Sequence, residues 1–154
     1  MKKITLLATL LMATNCFAAA PAASMPQALD AMFNYKDVVT AVANGHDIRI
    51  GLILKDCTMN GKKIEKPIFK VGLYSPNEVI LSNDDNVVAS LRHFTKNDAR
   101  APGKPVWQYA VYTITPDDNV KLSVEVLDAE TNATVVNKET YDCKLGVASY
   151  VLSK

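Results

Sequence analysis

The sequence has few of the residue types from which catalytic and metal centres are built. Its 154 residues include two histidines and one tryptophan, and the formal net charge is only +1. A nucleic-acid-binding domain needs a basic excess or a basic stripe, and neither is present. The motifs of serine hydrolases, zinc proteases, phosphate loops and dinucleotide folds are also absent. We therefore expect no nucleic-acid partner, no metal and no cofactor, and a binding protein rather than an enzyme.

The N terminus carries the clearest positive signal in the chain. Lys2 and Lys3 precede an apolar stretch over residues 4–13. The segment that ends at Ala18 then has small side chains at the positions that define a signal-peptide cleavage site. This pattern predicts a secretory signal peptide over residues 1–18. The apolar stretch is too short for a membrane-spanning helix, so we expect no stable membrane span after cleavage.

The rest of the chain has the length of one domain. Residues 19–26, which contain alanine and proline, predict a disordered lead-in, and residues 27–154 predict a single domain. Together with the signal peptide, this organisation places the mature protein in the periplasm of a bacterium or outside the cell.

Two cysteines, Cys57 and Cys143, remain after cleavage. An even pair in an exported protein most often forms one disulfide, and this bond would close most of the domain. The alternative is a redox or metal-binding pair, which lacks C-x-x-C spacing and a nearby histidine. Strict alternation from Leu54 places Cys57 opposite the apolar face of its strand. The strand must therefore end or bulge near Asp56 for the cysteine to turn inward.

Hydrophobic periodicity predicts one helix followed by strands. Apolar residues recur at helical spacing over residues 26–45, and the period then changes to two over residues 48–54. Short strands joined by tight turns pair antiparallel. The expected fold class is α+β, with an N-terminal amphipathic helix packed on an antiparallel sheet that could be barrel-like. Further strands are predicted over residues 67–74, 79–82, 87–94, 106–114, 120–127, 134–143 and 147–152.

His93 is the candidate for a catalytic role, although a weak one. It lies near the end of a predicted strand, before an exposed loop over residues 96–104, and strand ends of this kind often line clefts. The alternative is a hydrogen-bonded core or edge histidine. His46 follows the predicted helix and is interpreted as a turn residue. The acidic pairs at residues 84–85 and 117–118 lie beside asparagine between apolar strands and predict turns.

The predicted strand over residues 106–114 is apolar on both faces. Trp107 and Tyr109 share one face, while Ala110 and Tyr112 share the other. This pattern is typical of a central strand that is covered on both sides. The alternative is an aromatic strip on an open sheet, which would bind sugars, peptides or lipid. The residues predicted to contact a ligand or partner are Arg92, His93, Trp107 and Tyr109.

Three segments resemble the VirK family of small exported bacterial proteins. The first runs from residue 44 to 58, beginning with NGHDIRI and ending with KDCT. The second is LRHFT at 91–95. The third lies between residues 108 and 117 and contains QYAVY followed by TPD. The resemblance covers residues 35–126, although KVGLY at 70–74 has one glycine where the family leads us to expect more. It implies export, one VirK-like domain over residues 27–154 and an association with virulence or host interaction in some bacteria, but no reaction.

These observations predict an exported, non-catalytic envelope or secreted binding module. Its partner is expected to be a protein or an envelope component. Two alternatives stay open: a small periplasmic enzyme that uses His93, and an inhibitor of another exported protein.

Overall fold

Two antiparallel sheets make up the fold. The computed structural model describes residues 30–153, so the predicted signal peptide (1–18) and lead-in (19–26) lie outside the described residues. The strands are β1 (Asp30–Met32), β2 (Ile48–Ile53), β3 (Thr58–Met59), β4 (Lys62–Lys63), β5 (Val71–Tyr74), β6 (Glu78–Leu81), β7 (Val87–Thr95), β8 (Val106–Thr115), β9 (Asn119–Asp128), β10 (Thr134–Lys144) and β11 (Ser149–Ser153).

The strands divide into a small and a large sheet. The small sheet has four strands in the order β1-β11-β2-β5, and the large sheet has seven in the order β4-β3-β10-β9-β8-β7-β6. Strands β6 to β10 are neighbours in sequence and in space. Asp85 and Asp118 adopt positive φ angles of 55° and 58° in the β6–β7 and β8–β9 turns. Both acidic pairs therefore form turns, as the sequence predicts.

One core fills the space between the two sheets. The small sheet contributes Ile50 and Leu52, and the large sheet contributes Tyr112 and Ile114, all with no exposed side-chain surface. Burial of apolar surface at roughly 25 cal/mol per Å² is the main force that holds the sheets together. Because successive side chains point to opposite faces of a strand, one face of β2 and one face of β8 are turned toward this common core.

The prediction of an α+β fold with an N-terminal helix packed on a sheet was wrong. The protein is mostly β, and the described strands form two sheets rather than one closed barrel. Helix α1 spans only Tyr35–Ala43, nine residues of the predicted 26–45. Residues 30–32 instead form strand β1, whose backbone groups pair with β11.

Local capping explains why α1 begins late. The side-chain oxygen of Asn34 accepts a hydrogen bond from the backbone N–H of Asp37 at 3.0 Å, which is the arrangement of a helix N-cap. The backbone N–H of Tyr35 donates to the carboxylate of Asp118 at 2.7 Å, so the β8–β9 turn holds the first residue of the helix. Pairing with β11 then outweighs the helical spacing upstream of Asn34.

The structure forms the predicted disulfide between Cys57 and Cys143, with an S–S distance of 2.07 Å. Strand β2 ends at Ile53, and a 3-10 turn over Leu54–Asp56 redirects the chain. Cys57 is consequently only 2% exposed, which confirms that the strand ends before the cysteine. Since Cys143 lies on β10, the bond joins the large sheet to the segment that leaves the small sheet.

Candidate functional site

Strand β8 is central in the large sheet but is covered on one face only. Val106, Tyr112 and Ile114 are fully buried, whereas Val111 is 42% exposed and Trp107 is half-buried. The prediction of a strand covered on both faces was therefore wrong, because the small sheet packs on only one side. We call the uncovered side of β7, β8 and β9 the open face.

The register of the three strands places the open-face side chains in rows. Directly opposed residues of antiparallel strands point to the same side of a sheet. The pairing therefore aligns side chains that are far apart in the sequence. One row is Phe94, Trp107 and Leu127, and the next is Arg92, Tyr109 and Glu125.

Arg92 is held against the aromatic rings of this face. Its guanidinium carbon lies 4.0 Å from the ring centroid of Trp107 and 5.4 Å from that of Tyr109. Such cation–π contacts are worth about 0.5–1 kcal/mol at exposed sites. The Phe94 ring meets the Trp107 ring edge to face, with centroids 5.2 Å apart. Four side chains thus form one contiguous group on the open face.

The guanidinium of Arg92 forms no salt bridge with an acidic side chain in the described part of the chain. Its position is fixed instead by the rings and by the backbone, since the Arg92 N–H donates to Asn77 Oδ1 at 2.8 Å. A groove of about 520 Å³ runs beside it. The groove is lined by Asn77, Glu78, Ser90, Leu91, Arg92, Trp107, Tyr109, Ala110 and Val111.

The opposite side of the large sheet carries a polar network that the sequence did not reveal. Arg100 donates to Asp98 at 2.8 Å and to Glu139 at 2.7 Å, and Gln108 donates to Asp98 at 2.7 Å. These hydrogen bonds from Arg100 and Gln108 lower the pKa of Asp98 to about 2. Asp98 is 6% exposed, although it lies in the loop predicted to be exposed.

The network has a weak signature in the sequence. An acid and an arginine two residues apart can form a local ion pair, which Asp98 and Arg100 do. The pairing of Arg100 with Glu139, however, depends on how β10 packs beside the loop. Tyr141 donates to the same carboxylate at 2.9 Å. Burial, followed by this hydrogen bond, raises the pKa of Tyr141.

His93 lies on the inner side of β7, in register with Gln108, and is separated from the open face by the sheet itself. Its side chain is exposed and makes no hydrogen bond to residues 30–153. The structure therefore brings together three of the predicted contact residues, Arg92, Trp107 and Tyr109, but places His93 apart from them. His46 is exposed after the end of α1, where it lines a cleft of about 560 Å³.

Residues 30–153 contain no group of three or more His, Cys, Asp or Glu side chains arranged to hold a metal ion. In the same part of the chain, no helix is long and apolar enough to cross a membrane.

Comparisons with known proteins agree with the sequence resemblance. No curated protein matches the chain. The fold is similar to the crystal structure of a VirK family protein from Legionella pneumophila, with a TM-score of 0.69 and 27% sequence identity. That match covers 79% of this chain and 97% of the Legionella chain. The family model described as VirK protein matches residues 31–132, which is most of the described structure. The chain therefore belongs to the VirK family.

Proposed function

We propose that this protein is an exported, non-catalytic module that binds a protein partner through its open face. The observation that carries the proposal is Arg92, held between Trp107 and Tyr109 on an uncovered sheet face. Membership of the VirK family supports an association with virulence. The Cys57–Cys143 disulfide is compatible with an oxidising compartment outside the cytoplasm.

The composition of the open face favours a protein interface. Tryptophan, tyrosine and arginine are the residue types that dominate binding energy at such interfaces. Phe94 and Val111 are 44% and 42% exposed, so they offer apolar area around Arg92. The face therefore combines an apolar surface with Arg92, a cation that the rings hold in place, and it also carries Glu125 in the same row and Lys121 in another.

The partner is expected to present an apolar side chain next to a carboxylate. A guanidinium offers a planar fork of donors that matches a carboxylate, and the rings beneath Arg92 reduce its freedom before binding. Sugar stacking is less favourable here, because Arg92 already covers one face of the Trp107 ring and would have to be displaced.

The proposal can be tested by photo-crosslinking in cells that export the protein. A photoreactive residue would replace Val111 on the open face or, as a control, the exposed Lys36 of α1. We expect a specific protein adduct from position 111 that position 36 does not give. Adding Arg92→Ala should remove most of that adduct. The proposal is wrong if both positions give the same adducts, or if Arg92→Ala leaves the adduct from position 111 unchanged in a folded protein.

A further inference from the structure

The edge strands of the two sheets differ in what they expose. The small sheet ends in β1 and β5, and the large sheet ends in β4 and β6. Strand β4 consists of two exposed lysines, and β1 exposes Asp30 and the small Ala31, which are features that discourage pairing with another chain. Strand β6 has exposed apolar side chains, but helix α1 lies beside it. Strand β5 exposes 59% of Val71 and 48% of Leu73, so it is the edge best suited to pair with a further strand.

The register shows that the backbone of β5 is free on its outer side. Val71 lies opposite Ile53 in the pairing with β2, and Leu73 follows two residues further along β5. The N–H of Ile53 donates to the carbonyl of Ala148 at 2.8 Å, so the backbone groups of Ile53 point away from Val71. Because ladder bonds alternate along an antiparallel pair, the N–H and C=O groups of Val71 and Leu73 point away from β2. They form no other backbone hydrogen bond within the described part of the chain.

Cations flank this free edge at both ends. Lys70 is exposed directly before β5, and the exposed Arg49 of β2 lies across from Ser75, the residue that follows β5. Neither cation forms a salt bridge within residues 30–153, and the neighbouring Asp47 does not pair with Arg49. Strands β2, β5 and β11 contain no acidic residue. Arg49 and Ser75 both line the cleft of about 560 Å³, so this end of the edge is open to solvent.

We propose that the free edge of β5 accepts an extended strand of a partner protein that is apolar in its middle and acidic at its ends. In this mode of recognition, backbone hydrogen bonds supply affinity and alternate side chains supply specificity. Val71 and Leu73 would each donate and accept one backbone hydrogen bond, and apolar side chains of the added strand would pack beside them. Carboxylates at its ends would pair with Lys70 and Arg49. This surface goes beyond the proposed function, because it lies on the small sheet and involves no residue of the open face.

The probe is a short peptide, acetylated and amidated, with alternating valine and threonine in its middle and aspartate at both ends. Fluorescence anisotropy measures its affinity, and the amide NMR shifts of Val71 and Leu73 locate it. We expect saturable binding that weakens about tenfold when the valine amides are N-methylated, because their N–H groups would face β5. N-methylation of the threonine amides, which would point away from β5, should have little effect. Replacement of both aspartates by lysine should weaken binding, because like charges then meet at both ends.

Two variants locate the site on the protein. Leu73→Glu removes an exposed apolar side chain from the edge and adds a charge that repels the aspartate-ended peptide, so it should weaken binding about tenfold. The matched control is Ile80→Glu, which makes the same kind of change at an exposed position of β6 and should leave binding unchanged. Lys70→Glu should weaken the aspartate-ended peptide and strengthen the lysine-ended one. Circular dichroism checks that each variant is folded, and the methylated peptides test the edge without any variant.

The proposal is overturned if the aspartate-ended peptide gives no saturable binding. It is also overturned if the two kinds of N-methylation weaken binding equally, since the backbone edge is then not the contact. Equal losses with Leu73→Glu and Ile80→Glu would place the peptide on β6 instead. Sedimentation velocity examines a second copy of the chain as the occupant, and a dimer that Leu73→Glu dissociates would contradict a partner strand. Binding to phosphatidylglycerol vesicles without peptide binding would assign the edge to a membrane surface.

Discussion

The three central strands of the large sheet, β7, β8 and β9, have two faces of different composition. On the inner face Tyr112 and Ile114 are fully buried in the core shared with the small sheet, and Val106 is fully buried in a smaller cluster with Ala101 and Val126. On the open face Trp107 and Tyr109 remain partly exposed and hold Arg92 between them. Since an aromatic strand face can serve either a core or a surface, its role depends on whether another layer covers it.

Under the proposed function, stability and recognition depend on opposite sides of one sheet. Changes on the inner face should mainly reduce the free energy of unfolding. Changes on the open face should mainly reduce partner affinity.

The largest effect is expected from the disulfide, which ties the large sheet to the segment following β2. The bond closes a loop with a sequence separation of 86 residues. The double variant Cys57→Ala/Cys143→Ala should lower the free energy of unfolding by about 4 kcal/mol. Urea unfolding of the variant and of reduced wild type measures this loss. A loss below about 1 kcal/mol in both would show that the bond does not constrain the fold.

The next effect separates the two faces within one strand. Ile114→Ala on the inner face should lower the free energy of unfolding by about 3 kcal/mol, because it removes fully buried methyl and methylene groups. Val111→Ala on the open face should cost less than about 1 kcal/mol, since Val111 is 42% exposed. Equal losses in denaturant unfolding would contradict the division between the faces.

A pH-dependent effect is expected from Asp98. Its pKa is lowered from 3.8 to about 2, so the folded state favours the charged form. The resulting stabilisation of about 2 kcal/mol is present above pH 3.8 and is lost as the pH falls toward 2. Asp98→Asn should therefore be less stable than wild type at pH 7, with the difference shrinking below pH 4.

The exposed turn residue Asp84 supplies the control for this experiment. Asp84→Asn should follow the wild-type dependence of unfolding free energy on pH. If Asp98→Asn also follows it down to pH 2, the buried network does not stabilise the fold as inferred.

The smallest effect is expected at His93. The sequence allowed a hydrogen-bonded core or edge histidine, but the side chain is exposed and makes no hydrogen bond to residues 30–153. His93→Ala should change the free energy of unfolding by less than about 0.5 kcal/mol and leave partner affinity unchanged. A folded variant that loses biological activity would instead support the enzyme alternative.

Much of the sheet structure was predictable because its signals are local. The alternation in β2, β8 and β9, and the Asp and Asn residues between strands, predict strands and turns within a few residues of their observed bounds. The inward turn of Cys57 also followed from local alternation, which required the strand to end before the disulfide.

The features that could not be predicted depend on distant segments. Residues 30–32 form a strand because β11, more than 100 residues away, offers them a pairing edge. The open side of β8 depends on which face the small sheet covers, and the hydrophobic pattern within β8 does not indicate which face that is. Which of the predicted contact residues lie together depends on strand register in the same way: the register unites Arg92 with Tyr109 but places His93 on the other side of β7.

Arg92 is the residue through which the open face is proposed to bind its partner. The most direct measurement is the affinity of the purified cross-linked partner for wild type, Arg92→Ala and the control Lys121→Ala, which lies on the same face in a different row. We predict that Arg92→Ala weakens binding at least tenfold, while its free energy of unfolding falls by about 1 kcal/mol or less. Lys121→Ala should bind within twofold of wild type. Wild-type affinity in a folded Arg92→Ala protein would contradict the account.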